Sequence, residues 1–259
     1  MGVDGEHGPL VGRAAPPAGT RRRAAVLGLA LAAAASAAPA GAACRQALAL
    51  GLDVSGSVDG AEYRLQMDGL AGALTSPDVV EAMTGTPGDT VALAIFEWSG
   101  PEDASEVLPW TDVAGPADLA GIAARLRAAA RAPGDPSTAI GSAMGHGFGL
   151  LAGRPDCARR TLDLSGDGKA NTGPRAQSVE APPGIVVNAL AIGSDAPTTG
   201  DERQVQIAEL TAYFRAEVIR GPDAFVEAAL GFEDYEEAMR RKLLRELLDL
   251  AVAAAPAPR

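Results

Sequence analysis

Aromatic residues make up only 4% of this 259-residue chain, which also holds just two cysteines and two histidines. So few rings imply a core of aliphatic and alanine side chains. With 47% hydrophobic residues there are enough of these to bury one sizeable domain. His7 lies close to the N-terminus, so any histidine chemistry falls to His146, isolated between Gly145 and Gly147. Positive charge is also scarce: 22 basic against 33 acidic residues leave a net charge of −11. That balance excludes nucleic acid, and anionic lipid surfaces, as partners held by bulk charge. The alternating acidic spacing of an EF-hand is missing.

The first 43 residues read as separate from the fold. Arg21, Arg22 and Arg23 precede the apolar run Ala24–Ala35, and Ala40-Gly41-Ala42 follows. These are the charged, apolar and small-residue zones of a cleavable secretory signal peptide, and the Leu-containing part is too short to span a bilayer, which takes about 20 apolar residues. No stable membrane span is expected after cleavage. Thr20–Arg23 is a partial twin-arginine pattern without large apolar residues at Ala24 and Ala25. Gly41 stands where a lipoprotein signal carries a large aliphatic residue, which weighs against anchoring at Cys44. The expected organisation is a leader over 1–43, one domain over 44–253 and a frayed tail over 254–259. Without residues 1–43 the net charge becomes −13. A soluble periplasmic or secreted protein is expected.

Beyond residue 44, apolar runs alternate with helix-like segments, the pattern of an α/β fold: a doubly wound, mostly parallel six-stranded sheet with helices on both faces. Strands are expected at about 46–53, 91–96, 161–165, 185–192 and 216–219. A short antiparallel edge strand over 106–110 tolerates Pro109. Helices are expected near 60–74, where Asp59 and Glu62 have capping-box spacing, and near 116–131, 138–151 and 202–214, with 222–253 mostly helical. In strand order 3-2-1-4-5-6 the first and fourth strands are neighbours. Cys44 and Cys157 then start adjacent strands at one edge, close enough for a disulfide in an oxidising compartment.

The run Ala47–Leu52 stops abruptly at Asp53-Val54-Ser55-Gly56-Ser57. A buried parallel strand reads as a short continuous apolar run, and open α/β sheets bind ligands at the carboxyl ends of their strands. One carboxylate and two hydroxyls there are hard oxygen donors suited to Mg²⁺, with Mn²⁺ or Ca²⁺ as alternatives. Two further loops reach the same edge, Gly134–Ile140 at a helix start and Leu164–Gly168 after the fourth strand. Simpler roles stand beside this one: Ser55 and Ser57 as turn formers, and Ser137 or Thr138 as a helix cap. Asp167, before Gly168 on its loop, is the better ligand than Asp163 inside the strand. Glu97, Trp98 and Ser99 end the second strand at the same edge and are candidates for the rim of the site, or for ordinary strand-end packing.

Asp-x-Ser-x-Ser, the following Thr and the Asp-Gly on three successive loops resemble the von Willebrand factor A domain over residues 45–253. Ala49–Asp59, Phe96–Gly100, Cys157–Arg160, Ser165–Gly168 and Arg241–Leu244 are similar to a bacterial secreted family of such domains, domain of unknown function 1194. The resemblance implies a metal-ion-dependent adhesion site, with Ser55, Ser57 and Thr138 contacting the cation and Asp53 and Asp167 binding directly or through water. It further implies a protein partner whose carboxylate completes the coordination, and no catalysis. The alternatives are a metal-dependent hydrolase or phosphohydrolase, or a structural domain with a vestigial site. A phosphohydrolase of this type carries a second acid two residues after the first, where Ser55 stands.

Overall fold

A computed structural model describes residues 43–193 and 200–253. Apart from Ala43, the leader expected over 1–43 lies outside these residues, as does the expected tail over 254–259. In chain order the elements are β1 (Ala43–Asp53), α1 (Gly60–Thr75), α2 (Pro77–Thr84), β2 (Asp89–Trp98), β3 (Ala104–Val113), α3 (Pro116–Ala128), α4 (Ile140–Ala152), β4 (Arg159–Gly166), β5 (Ile185–Ile192), α5 (Gly200–Glu217), β6 (Val226–Ala229) and α6 (Tyr235–Ala253). They build one sheet in the order β3-β2-β1-β4-β5-β6, parallel except for the β2–β3 pair. This is the doubly wound topology expected from the sequence.

Strand alternation sorts the side chains into two cores. Leu48, Leu50 and Leu52 of β1 pack with Leu93, Ile95 and Leu190 under α1, α2, α3 and α6. Ala47 and Ala49 face the other way, with Phe96, Trp98, Leu162 and Leu164 under α4 and α5. Gly51 is needed on that second face: a Cβ there would stand 2.6 Å from both Phe96 Cζ and Leu164 Cδ2. Two large residues thus close over a residue that has no side chain.

Several boundaries differ from the sequence reading. The edge strand is not short. It runs over ten residues, because β2 itself extends to Trp98 and offers β3 a longer partner. Residues 216–219 are not the sixth strand. Ala216 and Glu217 finish α5, and the Val218 and Ile219 amides both bond back to the Phe214 carbonyl. Val218 is buried as its apolar character demands, but at a helix end. The sixth strand is Val226–Ala229, within the stretch read as helical. Helix α2, with Pro77 at its first position, was not anticipated.

Cys44 and Cys157 form a disulfide, with Cα atoms 4.5 Å apart. They sit where β1 and β4 begin, and the Ala158 amide donates to the Cys44 carbonyl at 2.9 Å. The bridge closes a separation of 113 residues. On chain entropy a loop of this size contributes about 4–5 kcal/mol. Replacing both cysteines by alanine is therefore expected to lower the urea midpoint markedly and to steepen the slope, because the unlinked unfolded chain exposes more surface, and an unchanged midpoint would refute the expectation. Among the described residues, no helix is long and apolar enough to cross a membrane.

Candidate metal centre

β1 ends in register with β2, Asp53 opposite Trp98, and the Val54 amide donates to the Trp98 carbonyl at 2.9 Å. The chain then turns. Asp53 Oδ1 accepts the Ser55 amide at 2.8 Å, an Asx turn, and Asp59 caps α1 by accepting the Ala61 and Glu62 amides. From outside, the Arg131 guanidinium donates to three carbonyls of this turn: Val54 at 2.8 Å, Ser55 at 2.9 Å, and Val58. From inside, the buried Gln66 amide donates to the Asp53 carbonyl at 3.0 Å. The turn is therefore held in shape by four side chains, two of them distant in sequence.

The other two loops are tied to the first and to each other. The Gly56 amide donates to the Pro136 carbonyl at 2.9 Å, and the Ala139 amide to the Ser99 carbonyl at 2.8 Å. Thr138 and Asn171 bond reciprocally: the Thr138 amide donates to Asn171 Oδ1 at 2.9 Å, and the Asn171 amide to the Thr138 carbonyl at 3.0 Å. The capping role considered for Ser137 or Thr138 does not occur, because α4 starts after Ala139 and its N-cap makes no side-chain bond.

Asp53, Ser55, Ser57 and Asp167 come together at the carboxyl edge of the sheet, and Thr138 lies beside the third loop, its Oγ1 4.0 Å from where a Cβ on Gly168 would stand. Ser57 Oγ donates to Asp167 Oδ1 at 2.7 Å and lies 3.2 Å from Ser55 Oγ. Asp53 and Ser55 are fully buried, Thr138 nearly so, Asp167 half-buried and Ser57 exposed. Gly166 lets the third loop pass close, since a Cβ there would stand 3.1 Å from Asp53 Oδ2. That oxygen is buried and has no hydrogen-bond partner. Burial, and after it the charge of Asp167, push the Asp53 carboxyl up to about 7, against the pull of its bonds to Ser55. Burial also raises Asp167, and the Ser57 hydroxyl partly offsets this. Two crowded carboxylates and an orphaned oxygen amount to a local excess of negative charge.

Asp163 lies elsewhere. It points to the opposite face of the sheet and pairs with Lys242 of α6. Of the three rim candidates, Trp98 packs into the core under α4 and α5. Glu97 and Ser99 point the other way and line a pocket of about 170 Å³ that begins at Val54. Glu97 Oε1 accepts the Tyr63 hydroxyl at 2.6 Å, and burial raises its carboxyl above the usual range. Sequence reasoning missed Arg131, Gln66 and Asn171. Only Asn171 left a signal, its place in the Gly-rich stretch after Asp167; the other two reach the site through the fold alone.

The fold is shared with solved structures of low sequence identity. Proximal thread matrix protein 1 from the mussel byssus is 15% identical, with a TM-score of 0.54 over 80% of this chain and 47% of that one. The von Willebrand factor type A protein from Catenulispora acidiphila is 16% identical, with a TM-score of 0.51 over 79% of this chain and 43% of that one. The PilB minor pilin from Streptococcus sanguinis is 12% identical, with a TM-score of 0.55 over 83% of this chain and 64% of that one. The chain thus spans less than two thirds of each of these structures. No curated protein matches it. The family described as "Protein of unknown function (DUF1194)" matches residues 43–251. With its six-stranded doubly wound sheet, the chain belongs to that family and carries a von Willebrand factor A fold.

Proposed function

We propose that Asp53, Ser55, Ser57, Thr138 and Asp167 hold one divalent cation at the edge of the sheet, and that this cation takes a carboxylate from a protein partner. The observation that carries this reading is Asp53 Oδ2, buried without a partner beside a second raised carboxylate. A cation there would neutralise both acids and satisfy the orphaned oxygen. The donors are all hard oxygens, which fits Mg²⁺ and also Mn²⁺ or Ca²⁺. Two aspartates against a doubly charged ion leave the site near neutral, so the ion stays electrophilic toward an incoming carboxylate.

The chain's residues divide the remaining work. Arg131 and Gln66 fix the first loop, Asn171 fixes Thr138, and Ser57 orients Asp167. No catalysis is assigned. Ser55 occupies the position where a phosphohydrolase needs its second acid, and the His146 ring is engaged with Phe96, their centroids 4.8 Å apart. The reading places the protein outside the cytoplasm, supported by the leader pattern and by the disulfide. The same disulfide leaves Cys44 no thiol to carry a lipid.

Calorimetric titration of the purified protein with Mg²⁺ and Mn²⁺ tests this reading. Saturable one-site binding is expected, weakened at least about tenfold by Ser57→Ala, since each liganding oxygen supplies a charge-assisted contact. An absence of heat with both ions, or titration of Ser57→Ala identical to wild type, would overturn it.

A further inference from the structure

Beside the first loop lies the pocket that begins at Val54 and continues along Glu97, Ser99, Glu102, Asp103 and Gly134. Three of its lining residues are carboxylates. Arg131 is the cation whose charge acts on Glu97, and the N–H groups of its guanidinium donate to three backbone carbonyls. Glu97 is 6% exposed and uses one oxygen to accept Tyr63. Ser99 is 1% exposed and lines the cavity, and its hydroxyl makes no hydrogen bond among the described residues. That hydroxyl faces the Gly134 wall, where an added Cβ would stand 3.2 Å from Ser99 Oγ. A hydroxyl and a carboxylate on two buried residues that both open into one small cavity offer it hydrogen-bond acceptors.

Among the described residues, the three carboxylates of this pocket do not bring an oxygen each within 4.8 Å of one another. An organic cation spreads its N–H groups over several ångströms and suits acceptors that stand apart. We propose that this pocket binds the ammonium or guanidinium group of a lysine or arginine on the same partner segment that presents its carboxylate to the metal. Val54 lines the pocket and sits between Asp53 and Ser55, so the two subsites share a wall. A segment with one acidic and one basic residue a short distance apart fills both. This inference rests on the proposed metal reading for the partner's other end, whereas the cation pocket itself needs no metal.

The test uses butylguanidinium as probe and its neutral isostere butylurea as control, followed by amide NMR shifts in metal-free protein. Butylguanidinium is expected to shift the Ser99 and Ala104 amides saturably, and butylurea to leave them in place. Glu97→Gln keeps the acceptor for Tyr63 and removes the charge; it should weaken binding about tenfold, the ratio of one charge-assisted contact. Glu102→Gln, at an exposed position, should weaken it about two- to threefold, as a screened rim charge does. Equal shifts with butylurea, no shifts at all, or undiminished binding by both variants would overturn the proposal. Mg²⁺ titration of the same sample separates the two readings. Cation binding without Mg²⁺ binding removes the metal reading and leaves the pocket, whereas Mg²⁺ binding without cation binding removes the pocket alone.

Discussion

Asp53→Asn is expected to make the metal-free protein more stable at pH 8 while abolishing its stabilisation by Mg²⁺. The two effects have opposite signs because the carboxylate is costly until a cation arrives. Its folded pKa of about 7 stands well above the ordinary aspartate value of 3.8. Stability from such a group is complete below the unfolded pKa and is lost as pH rises through the folded one, here between about pH 4 and pH 7. A shift of this size corresponds to on the order of 4 kcal/mol. Asparagine keeps the acceptor for the Ser55 amide but brings buried N–H groups without partners, so the net gain should be about 1–3 kcal/mol. Wild type at a hundredfold excess of Mg²⁺ over its dissociation constant should gain about 2.7 kcal/mol, and the variant nothing. Urea midpoints at pH 5 and pH 8, with and without Mg²⁺, measure all of this. A variant less stable than wild type in chelator at pH 8, or one that Mg²⁺ still stabilises, would contradict the assignment.

Lys242→Met should cost about 3–5 kcal/mol, because it leaves buried acids without their counter-ion. Lys242 is fully buried in α6. Its ammonium meets Asp163 of β4 and, at 2.7 Å, Glu246 one turn further on. Glu246 Oε1 also accepts the Asn188 side chain of β5 at 2.7 Å, and Asn188 Oδ1 accepts the Phe225 amide at 3.1 Å. Burial pulls the lysine down, but the two carboxylates outweigh it and hold the group above the ordinary lysine range. In a domain of this size the loss corresponds to a fall in Tm of about 6–20 °C. Replacing Asp163, Lys242 and Glu246 together by leucine, methionine and leucine should restore most of it, since the cost lies in the unpaired charges. A single variant within about 1 kcal/mol of wild type would mean that the cluster adds little to stability.

The legible parts of the fold were those where one physical signal acts alone. β1 over Ala47–Leu52 and β5, broken only by Asn188, are apolar runs because helices cover both of their faces, and no tertiary context competes with that reading. The proposed loop ligands stand out in the sequence for a related reason: Asp53, Ser55, Ser57 and Asp167 are polar residues that follow apolar strands at their carboxyl ends. Illegible segments were those where local pattern and fold disagree. Val218 and Ile219 look like a strand but complete a helix by bonding to Phe214, while the real sixth strand is four residues long and too brief to show a period. Arg131 and Gln66 contact the site over long sequence separations and carry no local mark. Asp163 reads as an anomaly in its strand until Lys242, far along the chain, supplies the reason for it.

The placement of the disulfide has a mechanical consequence. β1 runs from the bridge at Cys44 to the turn at Asp53, and β4 runs beside it from Cys157 to the loop of Asp167. With the proposed cation in place, these two strands are fastened together at both ends, covalently at the base and ionically at the tip. Separating β1 from β4 then means breaking a fastening at each end as well as the ladder between them, so neither end of the pair opens first.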